Sequence, residues 1–184
     1  MDILETVDSI MDMVGYMVQT VDVFRNFYRP DKEKSVFLVK DSIDKALTFV
    51  TPVLRRYGIE VDLDADPELS AFGYPKEYAQ VLLNILANAK DAFMDRVVEN
   101  PRINVKAFAD GDNMVVTITD NAGGIPEKGI ERIFDLYFTT KESSGGTGIG
   151  LYMSRNIIEK NMGGELTVSN IDNGAQFRIE LGMA

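Results

Sequence analysis

The 184-residue chain contains neither histidine nor cysteine. Without histidine, imidazole catalysis, histidine metal sites and a phosphohistidine carried by this chain are all excluded. Without cysteine there are no disulfides and no dependence on an oxidising compartment, so a cytoplasmic location is expected. Positive charge is scarce too: 19 Lys and Arg stand against 29 Asp and Glu, a formal net charge of −10. No long basic stretch compensates, which argues against a nucleic-acid backbone or an anionic membrane as the main partner. Any anionic ligand must therefore be met by local donors. No run approaches the ~18 apolar residues of a membrane span, and the opening MDILETVDSI lacks the basic flank and apolar core of a signal peptide. No direct membrane contact is expected, and an anchor, if the parent protein has one, is expected elsewhere.

The first feature present is a seam. Leu4, Val7, Met11, Val14, Val18 and Val21 alternate spacings of three and four, as in a coiled coil or bundle helix that a second helix must cover. A single amphipathic helix packed on its own domain is the other reading. Pro30, within the charged RPDKEK at 29–34, ends the pattern. This predicts a bundle helix over 1–30 and one domain over 31–184.

Strand and helix patterns then alternate. VFLVK reads as a strand, Asp41 to Tyr57 as a helix kinked at Pro52, and IEVDLD as a strand with Ile59, Val61 and Leu63 on one face. A long helix is predicted from Pro75, well suited to a first helical position, to about Val98. RINVKAFA and NMVVTITD form a hairpin through DGDN, and ELTVSN with AQFRIEL forms another. Between them lie a glycine-rich stretch over 121–147 with a short helix at Glu127 to Phe134, and an amphipathic helix from Ile149 to Met162 stopped by Gly163 and Gly164. The expected fold class is α+β, a two-layer α/β sandwich.

Four strings carry candidate chemistry. On the Pro75 helix, within LLNILANAKDAF, Gln80, Asn84, Asn88, Asp91 and Asp95 share one stripe. It is either a solvated edge or the lining of a pocket, where amide oxygens ligate a hard cation such as Mg2+ without adding charge. The string DNAGGIP at 120–126 starts where VVTIT ends, setting the Asp120 carboxylate at a strand end with glycines that let something flat approach the backbone. A plain turn is the competing reading. GGTGIGL at 145–151 opens a helix, where backbone N–H groups bind phosphate without basic residues; a loop with no ligand is the alternative. In IFDLYFTTK, Phe134 and Phe138 read as core, while Thr139, Thr140 and Lys141 follow them into a candidate lid, with the lysine as a point charge.

Taken in chain order, with IFDLYFTTK before GGTGIGL, the strings closely resemble the N, G1, F and G2 boxes of the catalytic ATP-binding domain of sensor histidine kinases. This is the Bergerat fold, also found in gyrase-type topoisomerases and mismatch-repair ATPases, with a mixed sheet and three main helices. The resemblance covers roughly residues 36–184, and TVDVFRNFYRPDKEK resembles the end of the second helix of the family's dimerisation bundle. It implies Mg-ATP as ligand, with Asn88 ligating Mg2+ and Asn84 supporting the metal and phosphate site. Asp120 would accept a hydrogen bond from the adenine amine, and Gly124 would give the base room. Gly146, Gly148 and Gly150 would wrap the phosphates, and Lys141 would approach the terminal one. Asp91, Ile125, Thr139, Thr140, Thr147, Ile149 and Leu151 complete the implied nucleotide site. Ala122 stands where many members have glycine, which implies only a stiffer turn.

The implied activity is transfer of the ATP γ-phosphoryl group to a histidine on a dimerisation bundle, homodimeric in the parent protein, and onward to a response-regulator receiver domain. The acceptor histidine is absent from this chain, and a fragment of a longer protein explains that more simply than divergence. Three alternatives stay open: an ATP-hydrolysing machine of the gyrase or mismatch-repair type, a serine kinase of the anti-sigma-factor kind, and a nucleotide-binding module without chemistry. The first two tend to carry a carboxylate one turn before the metal asparagine. Here that position is Asn84, which is no base.

Overall fold

The computed structural model describes residues 33–139 and 146–184. The bundle helix, Thr140 and Lys141 lie outside the described residues. Lys34–Ala184 forms one compact unit. Strand β1 (Ser35–Leu38) runs straight into helix α1 (Val39–Arg56), which begins two residues before the predicted start and continues through Pro52. The carbonyl that Pro52 cannot serve belongs to Thr48, on the exposed side of the helix, where water can satisfy it. Strand β2 (Glu60–Ala65) is followed by β3 (Ser70–Gly73), a strand without a usable sequence pattern. β3 pairs antiparallel with β1 in a separate two-stranded sheet.

Helix α2 (Pro75–Met94) is the centre of the helical layer, with Pro75 in its first turn as predicted. Its buried face is Tyr78, Val81, Leu82, Ile85, Leu86, Ala89 and Phe93. It ends at Met94 rather than near Val98. The backbone N–H of Arg96 bonds the Phe93 carbonyl three residues back, a tightened last turn that turns the chain out of the helix.

The hairpin of β4 (Arg102–Asp110) and β5 (Asn113–Asp120) forms as expected, followed by a one-turn helix α3 (Glu127–Ile130), shorter than predicted. The glycine-rich loop leads to α4 (Gly150–Asn156), which widens into a π-turn over Ile157–Asn161. Strands β6 (Glu165–Ile171) and β7 (Gly174–Gly182) close the chain. The main sheet has the order β2-β4-β5-β7-β6, with β2–β4 parallel and the other pairs antiparallel.

Ile103, Val105 and Ala107 of β4, Met114, Val116 and Ile118 of β5, and Phe177, Ile179 and Leu181 of β7 join the helices in one core. Each large aliphatic among them contributes about 1.5–3 kcal/mol by leaving water. The two-layer α+β architecture is as the sequence predicts. On the edge strand β2 the predicted apolar face fades: Ile59 beside it is buried, whereas Leu63 is 37% exposed. The central strand β5 ends at Asp120, flanked by the β6–β7 turn, and this junction is where the polar site is built.

Candidate functional site

The stripe on α2 divides by function. Asn84 accepts a hydrogen bond on Oδ1 from Gln80 Nε2 (3.2 Å) and donates from Nδ2 to the Gly150 carbonyl (3.2 Å) and Ser154 Oγ (3.1 Å). Ser154 Oγ also donates to the Gly150 carbonyl at 2.9 Å. Both amide hydrogens of Asn84 are thus committed to the first turn of α4. Asn88, one turn further along α2 and half-buried, makes no side-chain hydrogen bond to any described residue. It lies between the Asn84 anchor and the helix end from which Arg96 reaches the 120–126 loop. Asp91 forms an ion pair with Lys90 (3.0 Å) at the surface.

Asp120 is 7% exposed. Its Oδ1 accepts the backbone N–H of Ala122 (2.9 Å) and of Ala175 (3.3 Å), while Oδ2 has no hydrogen-bond partner among the described residues. No buried side-chain polar atom is left unsatisfied among those residues, so Oδ2 keeps some contact with solvent. One carboxylate oxygen is fixed and the other is left as an unpartnered acceptor among the described residues. Burial pushes the Asp120 carboxyl above the usual carboxylate range, against the pull of the two N–H groups and the Arg96 charge.

The loop after Asp120 is clipped on two sides. Nη1 of Arg96 donates to the carbonyls of Ala122 and of Gly124, the latter at 3.0 Å. From β6, Asn170 grips both backbone groups of Ile125, accepting its N–H at 2.8 Å and donating to its carbonyl at 2.7 Å. Asn121 takes part as well, accepting the Arg102 N–H (2.8 Å) and donating to the Asn100 carbonyl (3.1 Å). Gly124 has a packing reason of its own. The place where its Cβ would stand is held by Asn170 Oδ1, 2.8 Å away, so on that side the glycine admits protein rather than a base. Gly174 serves the same seating, since a Cβ there would fall 1.6 Å from the Asp120 carbonyl.

In the third string, Gly148 has φ +64°, and a Cβ on it would lie 2.4 Å from the Tyr137 backbone. The Tyr137 N–H bonds the Gly148 carbonyl at 3.1 Å. The two ends of the segment 138–147 are therefore pinned together. Phe134 is buried and Phe138 packs against the core, as expected, and Arg132 and Arg155 stack over Phe138 and Phe134. Thr139 is half-buried; Gly146, Thr147, Gly148, Ile149, Gly150 and Leu151 are likewise partly exposed along one loop and helix start. The residues brought together beyond those expected are Arg96, Asn170, Gly174 and Ser154. Each is tied to the predicted strings only by contacts across the fold.

Residues 73–184 match the family of histidine kinase-, DNA gyrase B- and HSP90-like ATPases. The chain belongs to this family. Among its relatives are the two-component sensor PprA of Pseudomonas aeruginosa, 32% identical over 98% of this chain and 20% of PprA, and the sensor histidine kinase ZraS of Salmonella typhimurium, 36% identical over 78% of this chain and 30% of ZraS. The chain therefore spans between a fifth and a third of the length of these curated relatives. The solved catalytic domain of histidine kinase ThkA superposes with a TM-score of 0.72 at 28% identity, covering 82% of this chain and 95% of that domain.

As a histidine-kinase-type ATPase domain, the chain is expected to carry a divalent metal with its nucleotide. Among the described residues no cluster of three Asp or Glu side chains is arranged to hold an ion. The donor chemistry suits Mg2+ nonetheless. Mg2+ takes few protein ligands and shares its shell with phosphates and water, and the amide oxygen of Asn88, without a hydrogen-bond partner among the described residues, has the chemistry of such a ligand. Among the described residues no helix is long and apolar enough to cross a membrane.

Proposed function

We propose that this chain is the ATP-binding, phosphoryl-transferring part of a two-component sensor histidine kinase. The observation that carries this reading is Asp120, held through one oxygen by two backbone N–H groups and keeping the other as an acceptor without a partner among the described residues. A fixed acceptor at a strand end suits a flat donor such as the adenine amine. The partly exposed backbone of 146–150 then receives the phosphates, as glycine-rich loops do without basic side chains, with Thr139, Thr140, Thr147 and Lys141 at the terminal phosphate. Asn88 would hold Mg2+, which neutralises charge on the phosphate oxygens when bound.

The acceptor is the imidazole of a histidine on a dimerisation bundle outside this chain. Its nitrogen forms a bond to the γ-phosphorus, the bond from that phosphorus to the bridging oxygen breaks, and ADP leaves with the electron pair. The imidazole proton goes to a base on the acceptor's side. One turn before Asn88, where a water-activating carboxylate would stand, Asn84 is neutral and its amide hydrogens are spent on Gly150 and Ser154. This favours transfer over the gyrase-type hydrolytic alternative. The names of PprA and ZraS support the two-component setting, in which a receiver domain takes the phosphoryl group next, in the cytoplasm.

The test is incubation with labelled ATP, Mg2+ and a separately supplied histidine-bearing bundle. Acid-labile label on the bundle is expected. Its absence, with intact ATP binding, would leave only a nucleotide-binding module.

A further inference from the structure

Arg96 sits immediately beyond α2, turned out of the helix by the bond from its own N–H to the Phe93 carbonyl. It is an exposed side chain, outside the core, and its side-chain hydrogen bonds among the described residues go only to Ala122 and Gly124. Between those two carbonyls lies Gly123, at φ +86°, where a Cβ would stand 2.6 Å from Nη1. The guanidinium therefore fills the space where a Cβ on Gly123 would stand. On another side the Gly123 N–H bonds the Asn173 carbonyl at 2.5 Å, and the Ala122 N–H goes to Asp120 Oδ1. The same three residues thus connect Arg96 to the carboxylate, and a shift of the loop moves a donor that orients Asp120.

We propose that Arg96 is a positioning residue for base recognition: by gripping the carbonyls of Ala122 and Gly124 it fixes the loop that orients Asp120, and so sets the preference for adenine over guanine. This rests on the reading of Asp120 as the acceptor for the adenine amine. Guanine carries a carbonyl oxygen where adenine carries that amine, so an oriented carboxylate accepts from one and repels the other. A charged donor held by two neutral carbonyls makes stronger bonds than a neutral one. Its loss leaves both carbonyls to water and the loop free to drift on the Asn170 side alone. The Arg96 charge additionally favours the ionised form of Asp120.

Calorimetric titration of the full chain with Mg-ATP and Mg-GTP separates the possibilities, using Arg96→Met, Arg96→Lys and Asp120→Ala. Arg96→Met should weaken ATP binding about tenfold, the scale of one lost charged hydrogen bond. GTP should weaken less, so that the ATP/GTP ratio contracts while the melting temperature holds. Arg96→Lys should recover most of the ratio, since one ammonium group can donate to both carbonyls. Wild-type affinity and ratio in Arg96→Met would overturn the proposal. Equal loss of ATP and GTP with a lowered melting temperature would overturn it too, by reducing Arg96 to a structural contact. Wild-type ATP affinity in Asp120→Ala would instead remove the base assignment beneath it.

Discussion

The two ends of the site are built on opposite plans. At the Asp120 end nearly every polar group is tied: the carboxylate by two N–H groups, the loop by Arg96, Asn121 and Asn170, and Gly123 by Asn173. The Asp120 Oδ2 has no hydrogen-bond partner among the described residues. At the proposed phosphate end the frame is tied, by Asn84 to α4 and by Gly148 to Tyr137, while the Asn88 amide has no hydrogen-bond partner among the described residues. A flat base is recognised by few bonds and needs them fixed in advance. A hydrated metal and its phosphates bring their own ligands, so that end needs donors rather than a mould.

The comparison breaks most visibly at Asp120. Asp120→Asn replaces an acceptor by an amide that can turn a donor toward the adenine amine, and ATP affinity should fall by about 100-fold or more. Stability should hold or rise, because the buried charge is gone. Calorimetric titration and thermal melting read the two effects separately. Acidity acts in the same sense. Burial raises the Asp120 pKa, so the folded protein binds that proton more tightly than the unfolded chain. As pH falls through the raised value, which lies above the ordinary carboxylate figure of about 3.9, ATP affinity should be lost while this group's burial penalty is relieved. The melting-temperature gap between wild type and Asp120→Asn should accordingly narrow toward low pH.

At the other end, Gly148→Ala forces a Cβ into the Tyr137 and Phe138 backbone at a left-handed φ, a strain of about 1–3 kcal/mol. ATP binding should weaken about tenfold while adenosine binding is retained, as parallel titrations would show. Asn88→Ala should remove the gain in ATP affinity that Mg2+ gives and leave affinity in EDTA unchanged; a surviving Mg2+ effect would relocate the metal. Asn84→Ala should lower stability by about 1–2 kcal/mol through loss of the α4 anchor, measured by denaturant melting, without raising hydrolysis. The smallest effect is expected for Asn170→Ala, about 1 kcal/mol, partly spared by the Arg96 grip on the same loop.

The parts legible in the sequence are those with local signatures. The hairpin β4–β5 declares itself by alternation and a DGDN turn, and α2 by its apolar period and its opening proline. Asp120, Asn88 and Gly148 stood out because strand ends, amide spacing and glycine loops are short-range patterns. β3 was illegible: four residues hold no period, and its pairing with β1 crosses α1 and β2. Arg96 and Asn170 were hidden for the same reason, since each acts on residues 26 or more positions away. The anchoring of α4 by Asn84 was not legible, because its partners Gly150 and Ser154 lie 66 and 70 positions along the chain.

On the proposed function, the site holds ATP for transfer to a histidine rather than for attack by water. The most direct measure of this is a ratio: phosphohistidine formed on an added bundle per inorganic phosphate released, followed over time with labelled ATP and Mg2+. Label should accumulate on the bundle well ahead of free phosphate, and neither should appear in Asp120→Asn. Steady phosphate release with an unlabelled bundle would contradict the proposed function.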